Sequence, residues 1–432
     1  MGIFEDRHEI MTGYCSEEHP APGFIADQCS TVHVHYKLYH APLWEDIPEW
    51  KGYGAEYVDH PVNFSLITPD GKWVGFYNEN VDPNQEKTAK LIARINQKDA
   101  DTWLWLWDKW KKYWEAATFE WCFTPAVPLG QMDAMDRLVA NPDAGVDPLW
   151  GFMSPYQLWR DLFESEMMIL MGMRNSQASG FGVDVYGLGF TALLTIFCWS
   201  MVGCVKGGTH NAAHATQRVI TENGGEVFYR SPVKKILIEN GRARGIRLED
   251  GTEIEAKKAV LSGVDPYQLV YGLVGPEYFD PKDAKRVKNL EMDFSAATWY
   301  TWALHEGPKY KAGEWDDDVK WSGYATLAST IDSYMKEHYQ RRQFKLPKPE
   351  DFQLIVCDHS IVDPSRVPEG KRSILTEQYI IPAWCMNDSE WKAFEKQHAK
   401  DLLKKVQEYA PNMTWDNVIG YSANTAYSWS KQ

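Results

Sequence analysis

Residues 206–266, reading KGGTHNAAHATQRVITENGGEVFYRSPVKKILIENGRARGIRLEDGTEIEAKKAVLSGVDP, constrain the fold more than any other part of the chain. After Gly207-Gly208, the residues Ala212, Ala213, Thr216, Val219 and Ile220 recur at helical spacing, which predicts a helix of about 15 residues. Asn223-Gly224-Gly225 supplies its left-handed stop. Residues 226–230 then read as a short strand. Val233, Ile236 and Ile238 mark a second strand, Ile246 and Leu248 alternate on a third, Ile254 marks a fourth, and 259–261 form a short apolar run. Asn240-Gly241 and Asp250-Gly251 are dipeptides that accept positive φ at hairpin turns. The expected order is helix, strand, three-stranded meander, strand.

A length of 432 residues allows two domains and a substantial core. A net charge of −15 argues against nucleic acid as a partner, because neutralising phosphates needs a basic surface. Seven dispersed cysteines with no C-x-x-C pair read as reduced thiols in a cytosolic protein. The first ten residues are charged and carry no apolar h-region, so no signal peptide is expected and the localisation reads as cytoplasmic. Twenty clustered tryptophans point to broad aromatic surfaces for a substrate, a partner or a membrane face.

The string 206–266 resembles the middle of the FAD-binding domain in the phytoene desaturase and amine oxidase superfamily. There a Gly-Gly pair opens a helix, a following strand meets the adenine, and the meander ends near an S-N/G-x-D-P step. The matching residues are Gly207-Gly208, the segment Ser231-Pro232-Val233-Lys234-Lys235-Ile236, and Ser262-Gly263-Val264-Asp265-Pro266. Near the start, Ile3-Phe4-Glu5-Asp6-Arg7 looks like the end of a dinucleotide-fold strand. The resemblance makes Glu5 the ribose ligand and Arg7 a cofactor neighbour. Pro22-Gly23-Phe24-Ile25-Ala26-Asp27 matches a family turn beside the flavin. Met11-Thr12 stands about where the family has a Gly pair, and Cys29 stands where a last glycine is expected. Glu5, Arg7, Gly207, Gly208, Val233, Ser262 and Gly263 are therefore the expected cofactor-binding residues. The cofactor implied is FAD.

The family's G-x-G-x-x-G turn, which binds pyrophosphate at a helix N-terminus, has no counterpart before Glu5. Gly187-Leu188-Gly189-Phe190-Thr191-Ala192 fits the pattern formally, but it lies in a bulky apolar run and reads as a decoy. A helix is expected over 389–410, followed by a P-x-x-x-x-I-like step from Pro411 to Ile419. The family's closing Gly-Asp segment is not found after it. Two readings follow: the sequence is a piece of a longer protein, or a partner chain supplies the missing dinucleotide-fold elements.

From about Gly71 to Arg174 the chain turns rich in Trp and Met. Trp103, Trp107, Trp110, Trp114 and Trp121 form a stripe whose first reading is core packing and whose second is a ligand wall. Bordered by Lys109, Lys111 and Lys112, it could also rest on a membrane surface. The 21 uncharged residues 185–205 reach the length of a membrane span, yet they run directly into the Gly-Gly helix and are expected as a buried helix. Residues 296–304, 351–359 and 372–381 read as strands, while Asp316-Asp317-Asp318 and 336–342 read as solvated charge clusters. The expected fold class is α/β. Residues 1–65 and 195–290 form a partial, Rossmann-like FAD-binding domain with the meander. Residues 66–194 and 291–432 form a discontinuous α+β substrate domain.

His33, His35, His210 and His214 lack an acidic third ligand, and H-E-x-x-H fails at Asn211, so no metal site is expected. No Walker loop or G-x-S-x-G elbow is present. The resemblance implies an FAD-dependent oxidoreductase that desaturates, saturates or isomerises carbon-carbon bonds of a hydrophobic, isoprenoid or carotenoid-like substrate. The alternative is a noncatalytic lipid- or polyene-binding subunit. Flavin chemistry asks the protein mainly for position and tuning, and no catalytic acid or base is assigned.

Overall fold

The computed structural model describes residues 16–28, 33, 43–128, 130–198, 202–290 and 295–430. Its strands are β1 (Ser16–Glu17), β2 (Ala26–Asp27), β3 (Tyr57–Asp59), β4 (Val62–Ile67), β5 (Trp73–Tyr77), β6 (Gly203–Val205) and β7 (Val233–Glu239). They continue as β8 (Arg242–Leu248), β9 (Glu253–Glu255), β10 (Ala296–Leu304), β11 (Ser322–Leu327), β12 (Leu354–Cys357), β13 (Arg372–Ile380) and β14 (Val418–Asn424).

Seven of these form one mixed sheet in the order β14-β10-β13-β12-β11-β4-β5. Among the described residues the parallel pairing is β4 with β11, and the other ladders are antiparallel. Strand alternation sends successive side chains to opposite faces, and both faces are buried. Phe64, Phe76, Tyr324, Ile355 and Leu375 face a core built with the helices Gln97–Lys109, Pro155–Leu162, Glu166–Ala178 and Gly189–Cys198. Val62, Trp302, Leu354, Val356 and Ile374 face the helix Asp388–Tyr409 through Leu402, Leu403 and Val406. Burying each such aliphatic side chain stabilises by roughly 1.5–3 kcal/mol. β4 and β5 join this sheet with the later strands, so β4 lies across the expected boundary at residue 65.

The tryptophan stripe is core. Trp103, Trp110 and Trp114 surround Phe197 with ring centroids 5.5, 5.2 and 5.7 Å away. Trp107 is buried as well, while Trp121 stands 43% exposed. The stripe turns through a wide π-helical segment, Trp110–Trp114, between two α-helices. The uncharged run 185–205 divides into the buried helix Gly189–Cys198 and the strand β6. No helix among the described residues is long and apolar enough to cross a membrane.

The meander is present as β7-β8-β9. Asn240 at φ 50° and Gly241 at φ 74° make its first turn, both left-handed as a type I′ hairpin demands. The Gly-Gly helix spans His210–Glu222 and stops at Gly224 with φ 78°. Two expected strands do not form. Residues 226–230 and 259–261 have no assigned strand, and Leu261 is 95% exposed. A strand exists only as a member of a ladder, and no described segment pairs with either one.

Candidate functional site

Segments far apart in sequence meet at the start of the helix His210–Glu222. The turn before β2, with Gly23 at φ 79°, delivers Asp27 into the interior. Its Oδ1 accepts from the Thr209 N–H and hydroxyl, both at 3.0 Å, so a protein carboxylate occupies the positive end of that helix. Arg366 donates to Asp27 Oδ2 at 2.6 Å, to Asp363 Oδ2 at 2.9 Å and to the Val205 carbonyl. Asp363 also accepts from the Gly207 N–H at 2.6 Å and from Ser365 at 2.5 Å.

All three charged side chains are nearly inaccessible to solvent. Burial opposes the Arg366 charge, but Asp27 and Asp363 outweigh it and hold the guanidinium protonated more firmly than usual. Burial would also raise the Asp363 carboxyl, yet the Ser365 hydroxyl, the Gly207 N–H and Arg366 pull it below its ordinary value. The network is a fixed charged hinge between the turn, the Gly-Gly loop and the segment after β12.

Beside it lie His60 and His359, with His60 Nε2 3.0 Å from His359 Nδ1. Burial first and Arg366 second push His60 down to about 3, and burial holds His359 well below its usual range. Both rings are neutral near pH 7. Cys204 joins them, its thiol pushed up to about 12 by burial, and the three ligand atoms lie within 4.8 Å of one another. Neutral imidazoles with a sulfur are donors that a soft metal ion could accept. A pocket of about 20 Å³, lined by Ala26, Asp27, Cys357, His359, Arg366 and Leu375 among others, adjoins this cluster. That volume is about one water.

The expected cofactor residues separate into groups. Glu5 and Arg7 lie outside the described residues. Gly207 and Gly208 adopt φ 74° and 112° in the loop that opens the helix. Their N–H groups are already engaged, Gly207 on Asp363 and Gly208 on the Val205 carbonyl at 3.1 Å. At Gly207 the space a side chain would take is filled by Asn211 Nδ2, 2.7 Å from where a Cβ would stand. Val233 begins β7 half-buried, opposite Leu248. Ser262 and Gly263 are exposed, and a side chain at Gly263 would meet nothing within 4 Å.

Gly187 and Gly189, read as a phosphate decoy, have structural reasons: Gly187 takes φ 86°, and a Cβ on Gly189 would stand 2.7 Å from the Trp150 carbonyl oxygen. The cluster 336–342 corrects the expectation of a solvated face. On the helix Ile331–Arg342, the side chains Glu337, His338 and Arg341 are buried, and His338 and Arg342 meet Asp184 at 3.0 and 2.9 Å. Sequence reasoning missed Arg366, Asp363, His60 and His359. The pairing Asp363/Arg366 at three residues' spacing was the one local signal.

No family model matches the chain. It is 28% identical over 203 residues to the neurosporene-forming phytoene desaturase of Rhodobacter capsulatus, covering 47% of this chain and 36% of that protein. It is 22% identical to a limonene dehydrogenase subunit of Castellaniella defragrans, covering 94% of this chain and 74% of that one. The matches span 20–40% of the length of the carotenoid desaturases, 36% and 35% for two of them. Its fold is that of an oxidoreductase from Methanosarcina mazei, with TM-score 0.55 at 16% identity over 96% of this chain and 80% of that one. A Pyrococcus furiosus protein matches with TM-score 0.54 at 15% identity, over 98% of this chain and 81% of that one.

Proposed function

We propose that the chain, which is similar in sequence to phytoene desaturases, is an FAD-dependent oxidoreductase acting on carbon-carbon bonds of a hydrophobic, isoprenoid or carotenoid-like substrate. The observation that carries this reading is the junction of Asp27 with Thr209, 182 residues apart, at the head of the Gly-Gly helix. The two segments that resemble flavin-binding pieces therefore adjoin, which supports the reading. The relatives' names, desaturases and a dehydrogenase, supply the reaction class.

In this proposal Glu5 takes the ribose hydroxyls and Arg7 lies beside the cofactor. Gly207 and Gly208 allow close backbone approach, Val233 meets the adenine through its backbone, and Ser262 and Gly263 close the same side. The open space at Gly263 and the left-handed Gly207 loop fit such a role. An FAD held there supplies the two-electron oxidant or reductant for changing a carbon-carbon bond. The chain's own contribution is position and dryness. Asp27, Arg366 and Asp363 fix the loops, and the apolar sheet face of Tyr324, Ile355, Cys357 and Leu375 excludes water from a hydrocarbon.

A partner chain, or residues beyond those described, completes the dinucleotide fold. A relative named as a subunit supports this, and so do residues 226–230 and 259–261, which join no described ladder.

Titration of the purified chain with FAD, followed by quenching of flavin fluorescence, tests the reading. Saturable binding is expected, and Glu5→Ala should weaken it about tenfold without unfolding the chain. Unchanged affinity in that variant removes the ribose assignment. Absence of flavin binding, alone and with any co-purifying subunit, removes the enzyme and leaves a noncatalytic polyene-binding protein.

A further inference from the structure

On the helix-side face of the large sheet, β13 presents Glu377 and Tyr379 toward Arg174 and Gln177 of the helix Glu166–Ala178. Arg341 approaches the same spot from the helix Ile331–Arg342. The two guanidinium carbons stand 4.7 and 5.6 Å from the centre of the Tyr379 ring. Arg174 and Arg341 are each 1% exposed.

Their donors outnumber the acceptors nearby. Arg174 Nη1 donates to Gln177 Oε1 at 3.0 Å, which also accepts from Tyr334 at 2.8 Å, and Arg341 Nη1 donates to Ser295 at 2.7 Å. Five buried nitrogens of this group make no hydrogen bond: Nε and Nη2 of Arg174, Nε and Nη2 of Arg341, and Nε2 of Gln177. Unpaired buried oxygens close by are fewer, with Glu377 Oε1 3.5 Å from Arg174 Nη2 and Oε1 of Gln378 and Gln353 beside Glu337. The other Glu377 oxygen accepts from Trp299 at 3.2 Å. Burial raises the carboxyls of both Glu377 and Glu337.

Unmet buried donors each cost about 1–3 kcal/mol. Water answers them poorly, since each molecule must also donate. A carboxylate offers acceptors only, with about four lone-pair sites suited to paired N–H groups of arginine.

We propose that Arg174, Arg341 and Gln177 form a buried site for the carboxylate end of a long apolar ligand, whose tail lies against Met173, Tyr324, Tyr334 and Leu375. This rests on the reading of the sheet face as the substrate side, and it narrows the substrate from a plain hydrocarbon to an isoprenoid acid. Arg174 and Arg341 are here binding residues that set specificity.

The test uses the full chain without added FAD and follows quenching of tryptophan fluorescence by all-trans-retinoic acid and by its methyl ester. The acid should bind about tenfold more tightly than the ester. Arg174→Met and Arg341→Met should each remove most of that preference by weakening the acid more than the ester. Equal affinity for acid and ester in the unaltered chain overturns the proposal, as does a preference that survives both substitutions. Should either variant fail to fold, the acid and ester comparison on the unaltered chain decides alone. Flavin takes no part in this measurement, so a chain that binds no FAD can still show the preference. An FAD-binding chain with no preference loses this inference and keeps its proposed reaction class.

Discussion

At the scale of single residues the site is ruled by buried charge. Removing one partner of a buried ion pair leaves the others uncompensated at a cost of about 3–5 kcal/mol. Arg366→Met strands Asp27 and Asp363 together, so urea denaturation should show a loss of that order. Arg366→Lys should recover little, because one ammonium cannot reach Asp27, Asp363 and the Val205 carbonyl at once. The buried histidines predict an acid dependence. His60 and His398 titrate at about 3 in the fold against an ordinary value of 6.5, both lowered chiefly by burial. Between these values the unfolded chain binds the proton and the folded chain does not. Each histidine's stabilisation is complete above pH 6.5 and falls by about 1.4 kcal/mol per pH unit on acidification toward pH 3. His398→Phe should reduce the slope of stability against pH between 6 and 4 by about one proton. An unchanged slope would mean that His398 is protonated in the fold. Of the residue-level picture, Asp27 was legible inside a motif. Arg366 was not, since its partner lies 339 residues away and a lone arginine carries no mark of burial. The pattern at 336–342 misled because charges at helical spacing look alike whether they meet solvent or Tyr379.

At the scale of elements, local signals succeeded where the chain needs only itself. Asn240-Gly241 fixes a hairpin through backbone conformation, and the helix His210–Glu222 and strand β10 follow from periodicity. Residues 226–230 and 259–261 failed because a strand needs a neighbour that local sequence does not name. Hydrogen exchange should find their amides fast in the isolated chain, and slowed on addition of FAD together with any co-purifying subunit. Slow exchange in the isolated chain would mean that they are already paired. The glycines at 187 and 189 give a second contrast. Gly189→Ala places a methyl 2.7 Å from the Trp150 carbonyl oxygen and 3.0 Å from that of Met153, which should cost about 1–3 kcal/mol by overpacking. FAD affinity should not change. Lowered FAD affinity at full stability would make this turn a phosphate site after all.

At the scale of the molecule, a seven-stranded sheet buried on both faces carries the hinge at one end and the donor-rich cluster further along β13. Ser373 and Leu375 border the small pocket beside Asp27, while Glu377 and Tyr379 lead to Arg174 along the same strand face. The small pocket and the donor-rich cluster thus share one strand face; under the proposed function such an arrangement would keep a bound hydrocarbon in register with whatever oxidises it. Composition pointed to broad aromatic surfaces for a ligand, partner or membrane, whereas Trp103, Trp107, Trp110 and Trp114 lie in the core. It gave no hint of the ordering of strands, because β4, which carries β5 at the sheet edge, joins β11 only after more than two hundred intervening residues. The central claim is that the Gly207 loop and the start of β7 flank one adenine nucleotide. A crystal structure of the chain with FAD tests it most directly. Density for the adenine beside Val233, with the ribose within hydrogen-bond reach of Glu5, is the predicted result. FAD bound away from both, or none retained in crystals of a chain saturated with it in solution, would contradict the account.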